Sequence, residues 1–141
     1  QKDQNNCRGK GTEADGWGAE KFQYCPTNDR SCEIYVGGKL SGYVADDTKS
    51  PAAKVCAQET ILGRKWNLPD GFEIFTMGGI ALFDIFLDIP SENTNTPTLI
   101  PMSYSSSIED SWSIAFYKSL KEVSAGSGPK SDFDHVLCIS K

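Results

Sequence analysis

Residues 106–126 read SSIEDSWSIAFYKSLKEVSAG, and the fold class turns on which of two periods this stretch obeys. Trp112, Ile114 and Phe116 alternate as a strand would, whereas Ile108, Trp112, Ala115, Phe116, Leu120 and Val123 recur at helical spacing. The helical reading has more behind it. Ser106 and Glu109 are spaced as a capping box, Glu109 and Asp110 stand at the positive end of the helix dipole, Lys118 and Lys121 stand near its negative end, and Gly126 offers a stop. A helix is therefore expected over 108–123, followed by a Gly/Ser/Pro linker over 126–129 and a last strand over 133–139.

Working toward the N-terminus, residues 98–104 predict a strand in which Pro101 marks a bulge or an edge, preceded by a loop over 91–97. Two strands, 72–77 and 80–89, flank Gly78-Gly79 as a hairpin. Ser50-Pro51 predicts a helix start, because Ser caps orphan N–H groups and Pro at the first position lacks a donor that had no partner anyway. That helix is expected to run to Leu62 and stop at Gly63, with Ala52, Val55, Cys56 and Leu62 on its inner face. Residues 33–36 and 40–44, separated by Gly37-Gly38-Lys39, predict another hairpin. The order ββ-α-βββ-α-β argues an α+β class, a mainly antiparallel sheet with two helices packed on one face. Residues 1–31, interrupted by Gly9, Gly11, Gly16 and Gly18, read as an irregular arm, and 32–141 as one domain.

A chain of 141 residues suits one domain with a self-supporting core. Nineteen acidic against fourteen basic residues give a net charge of −5, the wrong sign for phosphate neutralisation, so neither nucleic acid nor an anionic membrane is an expected partner. The longest apolar stretch, 80–89, is about half a membrane span and is broken by Asp84 and Asp88.

Cys7, Cys25, Cys32, Cys56 and Cys138 are scattered, with no C-x-x-C pair, and His135 is the single histidine. Disulfides are favoured over a metal site, and neither metal nor cofactor is expected. An odd count predicts two bridges and one spare thiol, with about fifteen connectivities open. Long loops constrain the unfolded chain most, which favours Cys56 with Cys138, and Cys25 or Cys32 with a distant partner. Scattered cysteines and a chain that starts at Gln1 rather than Met predict a processed, secreted, extracellular protein. There is no N-glycosylation sequon.

Catalytic signatures are thin. His135 lacks a second histidine or a G-x-S-x-G elbow, so a partly buried structural histidine is the better reading. Asp84 and Asp88 on a strand would stand about 13 Å apart, too far for glycosidase chemistry, whereas Asp132 and Asp134 would stand about 6.6 Å apart, within range but more simply a solvated strand entry. Asp46-Asp47 lacks the spacing of a calcium loop and reads as a turn. The aromatics least explained by core periodicity are Trp17, Phe22, Tyr24 and Trp66, and of these Trp17, Tyr24 and Trp66 are the candidates for recognition. With Arg30 and Arg64 they form a candidate recognition patch for a protein or a sugar.

This profile, in which Gly63-Arg64-Lys65-Trp66 is the nearest stretch to the family's Trp-Arg-x-Arg-like segment but in another order, resembles the small secreted effectors of plant-pathogenic fungi, and in its element order the LARS avirulence effectors. The resemblance implies a monomeric, non-enzymatic virulence protein. It would bind a host protein in the apoplast or after uptake and be recognised by plant immune receptors. A carbohydrate-binding module and a small secreted hydrolase or nuclease built on Asp132, Asp134 and His135 are the alternative expectations.

Overall fold

The computed structural model describes residues 21–38, 41–76, 98–117 and 122–140. In chain order the elements are β1 (Lys21–Gln23), β2 (Glu33–Tyr35), β3 (Tyr43–Ala45), α1 (Pro51–Ala57), β4 (Trp66–Asn67), α2 (Gly71–Thr76), β5 (Thr98–Ser105), β6 (Asp110–Tyr117), β7 (Glu122–Pro129), β8 (Phe133–His135) and β9 (Ile139–Ser140). Strands β2-β3-β5-β6-β7 form a five-stranded sheet, while β1-β8 and β4-β9 form separate two-stranded ribbons. Every described pairing is antiparallel. The class is α+β, with two helices packed against a mostly antiparallel sheet, as the sequence predicts.

The position of the second helix is a correction. Residues 110–117 form β6, the strand between β5 and β7, and 122–129 form β7 rather than a linker. Trp112, Ile114 and Phe116 project to one face, where Ile114 lies opposite Ile100 of β5 and Phe116 opposite Val123 of β7. The other face holds Ser111, Ser113 and Ala115, small enough to be buried as well. Ser106, read as a helix cap, stands in the turn into β6, where its amide donates to Asp110 O at 3.0 Å and the neighbouring Ser107 Oγ accepts from the amides of Glu109 (3.1 Å) and Asp110 (3.0 Å).

Conversely, 71–76 is a helix where a strand is expected. Its N-terminus is a reciprocal capping box: Asp70 Oδ1 accepts from the Glu73 amide and Glu73 Oε2 from the Asp70 amide, both at 2.8 Å. Ile74 of α2 then enters the main core with Ile100, Met102, Ile114 and Phe116. The expected strand over 80–89, the Gly78-Gly79 turn and the 91–97 loop lie outside the described residues.

The start of α1 is as the sequence predicts. Ser50 Oγ accepts from the Ala53 amide at 3.2 Å and donates to Tyr24 O at 2.6 Å, with Pro51 opening the helix. The helix ends at Ala57, not Leu62, because after Cys56 the residues Ala57 to Thr60 offer no apolar anchor for another turn. Ala52, Ala53, Val55 and Cys56 pack on Leu68, with Phe22, Val136 and Cys138 at the margin. The expected last strand divides, β8 pairing with β1 and β9 with β4. Residues 21–31, read as part of the arm, supply β1 and two buried residues, Tyr24 and Cys25. Strands β2 and β3 pair as expected, Glu33 opposite Ala45 and Tyr35 opposite Tyr43, and the bulge expected near Pro101 is a register shift between Pro101 and Ser105.

Two disulfides close. Cys56–Cys138 joins α1 to the segment before β9 across 82 residues, as predicted. Cys25 and Cys32 bond each other across only seven residues, correcting the expectation of a distant partner. Loop entropy describes the unfolded chain, but which sulfurs meet is set by where the folded backbone leaves them, here with Cα atoms 5.7 Å apart. Cys7 lies outside the described residues.

Candidate recognition surface

The Cys25–Cys32 loop leads straight into β2, which among the described residues is an edge strand of the large sheet. Three consecutive residues there are exposed and apolar: Ile34 (46%), Tyr35 (70%) and Val36 (52%). Edge strands usually carry charge or proline to discourage pairing; the one charge in β2, Glu33, is turned inward, and the three exposed residues carry none. The Val36 amide donates to Gly42 O and the Asp46 amide to Cys32 O, each at 2.9 Å. These alternate positions make the hydrogen-bonded pairs of the ladder, so the Tyr35 N–H and C=O face away from β3.

The ring of Tyr35 meets Tyr43 edge to face, centroids 5.2 Å apart, and the Arg30 guanidinium lies 3.8 Å over the Tyr43 ring. Arg30, Tyr43 and Tyr35 thus form a cation–aromatic–aromatic row across the hairpin. Gly42 makes room for it. Its φ is +75°, and a Cβ there would fall 2.5 Å from Tyr35 Cε2, so a side chain at 42 would displace the ring.

Beneath the row lies a buried ionic network. Glu33 Oε2 is 3.0 Å from Lys130 Nζ and 3.1 Å from Arg30 Nη1, and Glu33 Oε1 accepts from the Tyr24 hydroxyl at 3.2 Å. Burial raises the Tyr24 hydroxyl's pKa, the adjacent Glu33 charge raises it further, and Arg30 opposes both, so Tyr24 remains a donor. Arg30 Nη1 also reaches Ser105 Oγ at 3.4 Å, which lies 3.0 Å from Ser41 Oγ, tying the hairpin to β5.

The patch expected from sequence does not assemble. Tyr24 is 2% exposed and belongs to the core with Cys25 and Cys32, because its hydroxyl has an internal carboxylate to bind. Arg30 is on the hairpin. Trp66, half-buried in β4, and exposed Arg64, whose Nη1 is 3.5 Å from Ser140 Oγ, belong to the β4-β9 ribbon instead. Trp17 lies outside the described residues. What the sequence reading missed is Ile34-Tyr35-Val36. The signal was present, an uncharged apolar run in a short hairpin strand, but only the sheet order shows that this strand is at an edge.

Asp134 and His135 are consecutive in β8, opposite Phe22 and Lys21 of β1, so their side chains leave on opposite faces. Burial, then the charge of Asp132, pushes the Asp134 carboxyl up to about 6, with Lys21 pulling the other way. Asp46 makes a turn: its Oδ1 accepts from the Thr48 amide at 2.8 Å and the Thr48 hydroxyl at 2.6 Å. Among the described residues, no group of three or more His, Cys, Asp or Glu side chains could hold a metal ion, and no helix is long and apolar enough to cross a membrane. Set beside known proteins, the chain matches no family model, no curated protein and no solved structure.

Proposed function

We propose that this chain is a secreted, non-enzymatic binding protein of effector type that engages a host protein through the β2–β3 hairpin. The observation that carries the reading is the exposed Tyr35 beside the Tyr43–Arg30 stack, with Ile34 and Val36 exposed on the opposite face of the same edge segment. Tyrosine and arginine are the residues most often found to dominate protein interfaces, and a row already held rigid loses little entropy when a partner covers it. Two disulfides suit the oxidising compartment that the reading requires.

The test is infiltration of plant leaves of varied genotype with the native protein and with Tyr35→Ala. A genotype-dependent response to the native protein, lost with Tyr35→Ala while circular dichroism is unchanged, is the expected result. No response on any genotype would overturn the effector reading. A glycan-array signal abolished by Tyr35→Ala would transfer the surface to a sugar ligand.

A further inference from the structure

The connection between α1 and β4 holds the one non-glycine residue with positive φ among the described residues. Leu62 has φ +58° and ψ +17° and is 81% exposed. The Gly63 amide donates to Thr60 O at 3.0 Å, so Leu62 occupies the third position of a turn, where positive φ calls for Gly or Asn. A branched apolar side chain is thereby held in water, in a backbone region it disfavours. Nothing in the packing explains this, since exposure leaves the side chain almost no core contact.

The loop is anchored at one end by a disulfide and at the other by strand pairing. Cys56 of α1 precedes it, and Cys138 adjoins Ile139, which pairs with Asn67 of β4. Its charge departs from the rest of the molecule. Residues 58–65 carry Arg64 and Lys65, both exposed, against Glu59 alone, in a chain whose net charge is −5. Glu59 Oε1 accepts from the neighbouring Thr60 amide at 2.8 Å. Adjacent exposed cations on an acidic protein select a partner surface of opposite charge, and a lone leucine is too small an anchor for a symmetric dimer of two copies. One leucine with two cations is also short of what stable membrane attachment takes.

From this juxtaposition we infer that the loop over 60–65 is a second docking element, in which Leu62 inserts into an apolar socket of a partner protein whose rim is acidic and meets Arg64 and Lys65. It is separate from the hairpin surface, and its test reads the two apart.

A random-peptide phage library is panned on the immobilised, disulfide-intact chain, with Leu62→Asn, Arg64→Glu/Lys65→Glu and Tyr35→Ala as counter-targets. The expected winners are acidic peptides carrying an apolar residue. Their affinity should fall by at least about tenfold with Leu62→Asn and with the charge reversal, as interface anchors do, and should weaken with added salt. It should be unchanged by Tyr35→Ala. Asn tolerates the backbone at 62, so Leu62→Asn should keep or raise the melting temperature. The inference is overturned by failure to enrich any peptide, by winners indifferent to Leu62→Asn, by equal losses with Tyr35→Ala, or by a melting temperature that drops with Leu62→Asn. Phosphatidylserine vesicles that bind the native chain and not the charge-reversed one would make the loop a lipid contact and overturn it equally.

Discussion

Lys130 Nζ lies 3.0 Å from Glu33 Oε2 with both side chains fully buried, although 97 positions separate them in the chain. The ammonium is saturated: besides Glu33 it donates to Ile108 O at 2.7 Å and Asp29 O at 3.0 Å. One side chain thus joins β2, the turn before β6 and the Cys25–Cys32 loop. The Lys130 amide and carbonyl extend the tie, the first donating to Glu109 O at 3.0 Å and the second accepting from the Cys25 amide at 2.9 Å. Desolvating two charges is costly, and the complete hydrogen bonding offsets that cost, so the pair sets geometry more than it adds net stability.

Lys130→Met should therefore destabilise the fold by about 3–5 kcal/mol, because it strips a buried carboxylate of one of its cations. Lys130→Met/Glu33→Gln should recover part of the loss, since a neutral amide leaves no bare charge and still accepts from Tyr24. Urea unfolding reads both, and a single variant as stable as the native chain would show that the pair does not hold these segments.

The two disulfides should contribute unequally. In the loop-entropy account, opening Cys56–Cys138 costs about 4.5 kcal/mol and opening Cys25–Cys32 about 2.4 kcal/mol. Paired Cys→Ala variants compared by denaturant midpoint check this. The short bridge has a second readout: its loss should free Arg30 and so weaken the near-ultraviolet dichroism of Tyr43. An unchanged tyrosine signal would mean that the buried ion network alone positions Arg30.

Asp134 gives a pH dependence with a definite sign. Its folded pKa is raised to about 6 from 3.8, so between those values the folded state holds a proton that the unfolded chain has released. Stability from this group is complete at the acid end and is withdrawn as pH rises through about 6. Asp134→Asn should flatten the stability profile from pH 4 to 6 and exceed the native protein at neutral pH. The lowered pKa values of Asp29 and Asp46, caused first by hydrogen bonds from Ser31 and Thr48, act in the opposite sense and at lower pH. A slope that survives Asp134→Asn would assign the dependence to another group.

The sequence by itself determined what rests on neighbouring residues. Ser50-Pro51 fixed the start of α1, because a cap and a missing donor act within one turn of the chain. Gly37 and Gly38 made the 33–45 segment a hairpin, and Cys56 on an inward helical face pointed to Cys138. Asp70 and Glu73 were legible in the same way and were overlooked beneath the apolar run that follows. Residues 106–126 could not be decided locally. Trp112 and Phe116 are four apart, a spacing that is one helical turn and also two strand repeats, so both periods fit. Ile100 and Val123, lying across the ladder, settled it, because buried side chains and backbone hydrogen bonds from β5 and β7 outweigh local propensity. The candidate surface was decided the same way. Tyr24 went inside because Glu33 was there to receive its hydroxyl, and Ile34, Tyr35 and Val36 stayed outside because the sheet order leaves β2 at an edge.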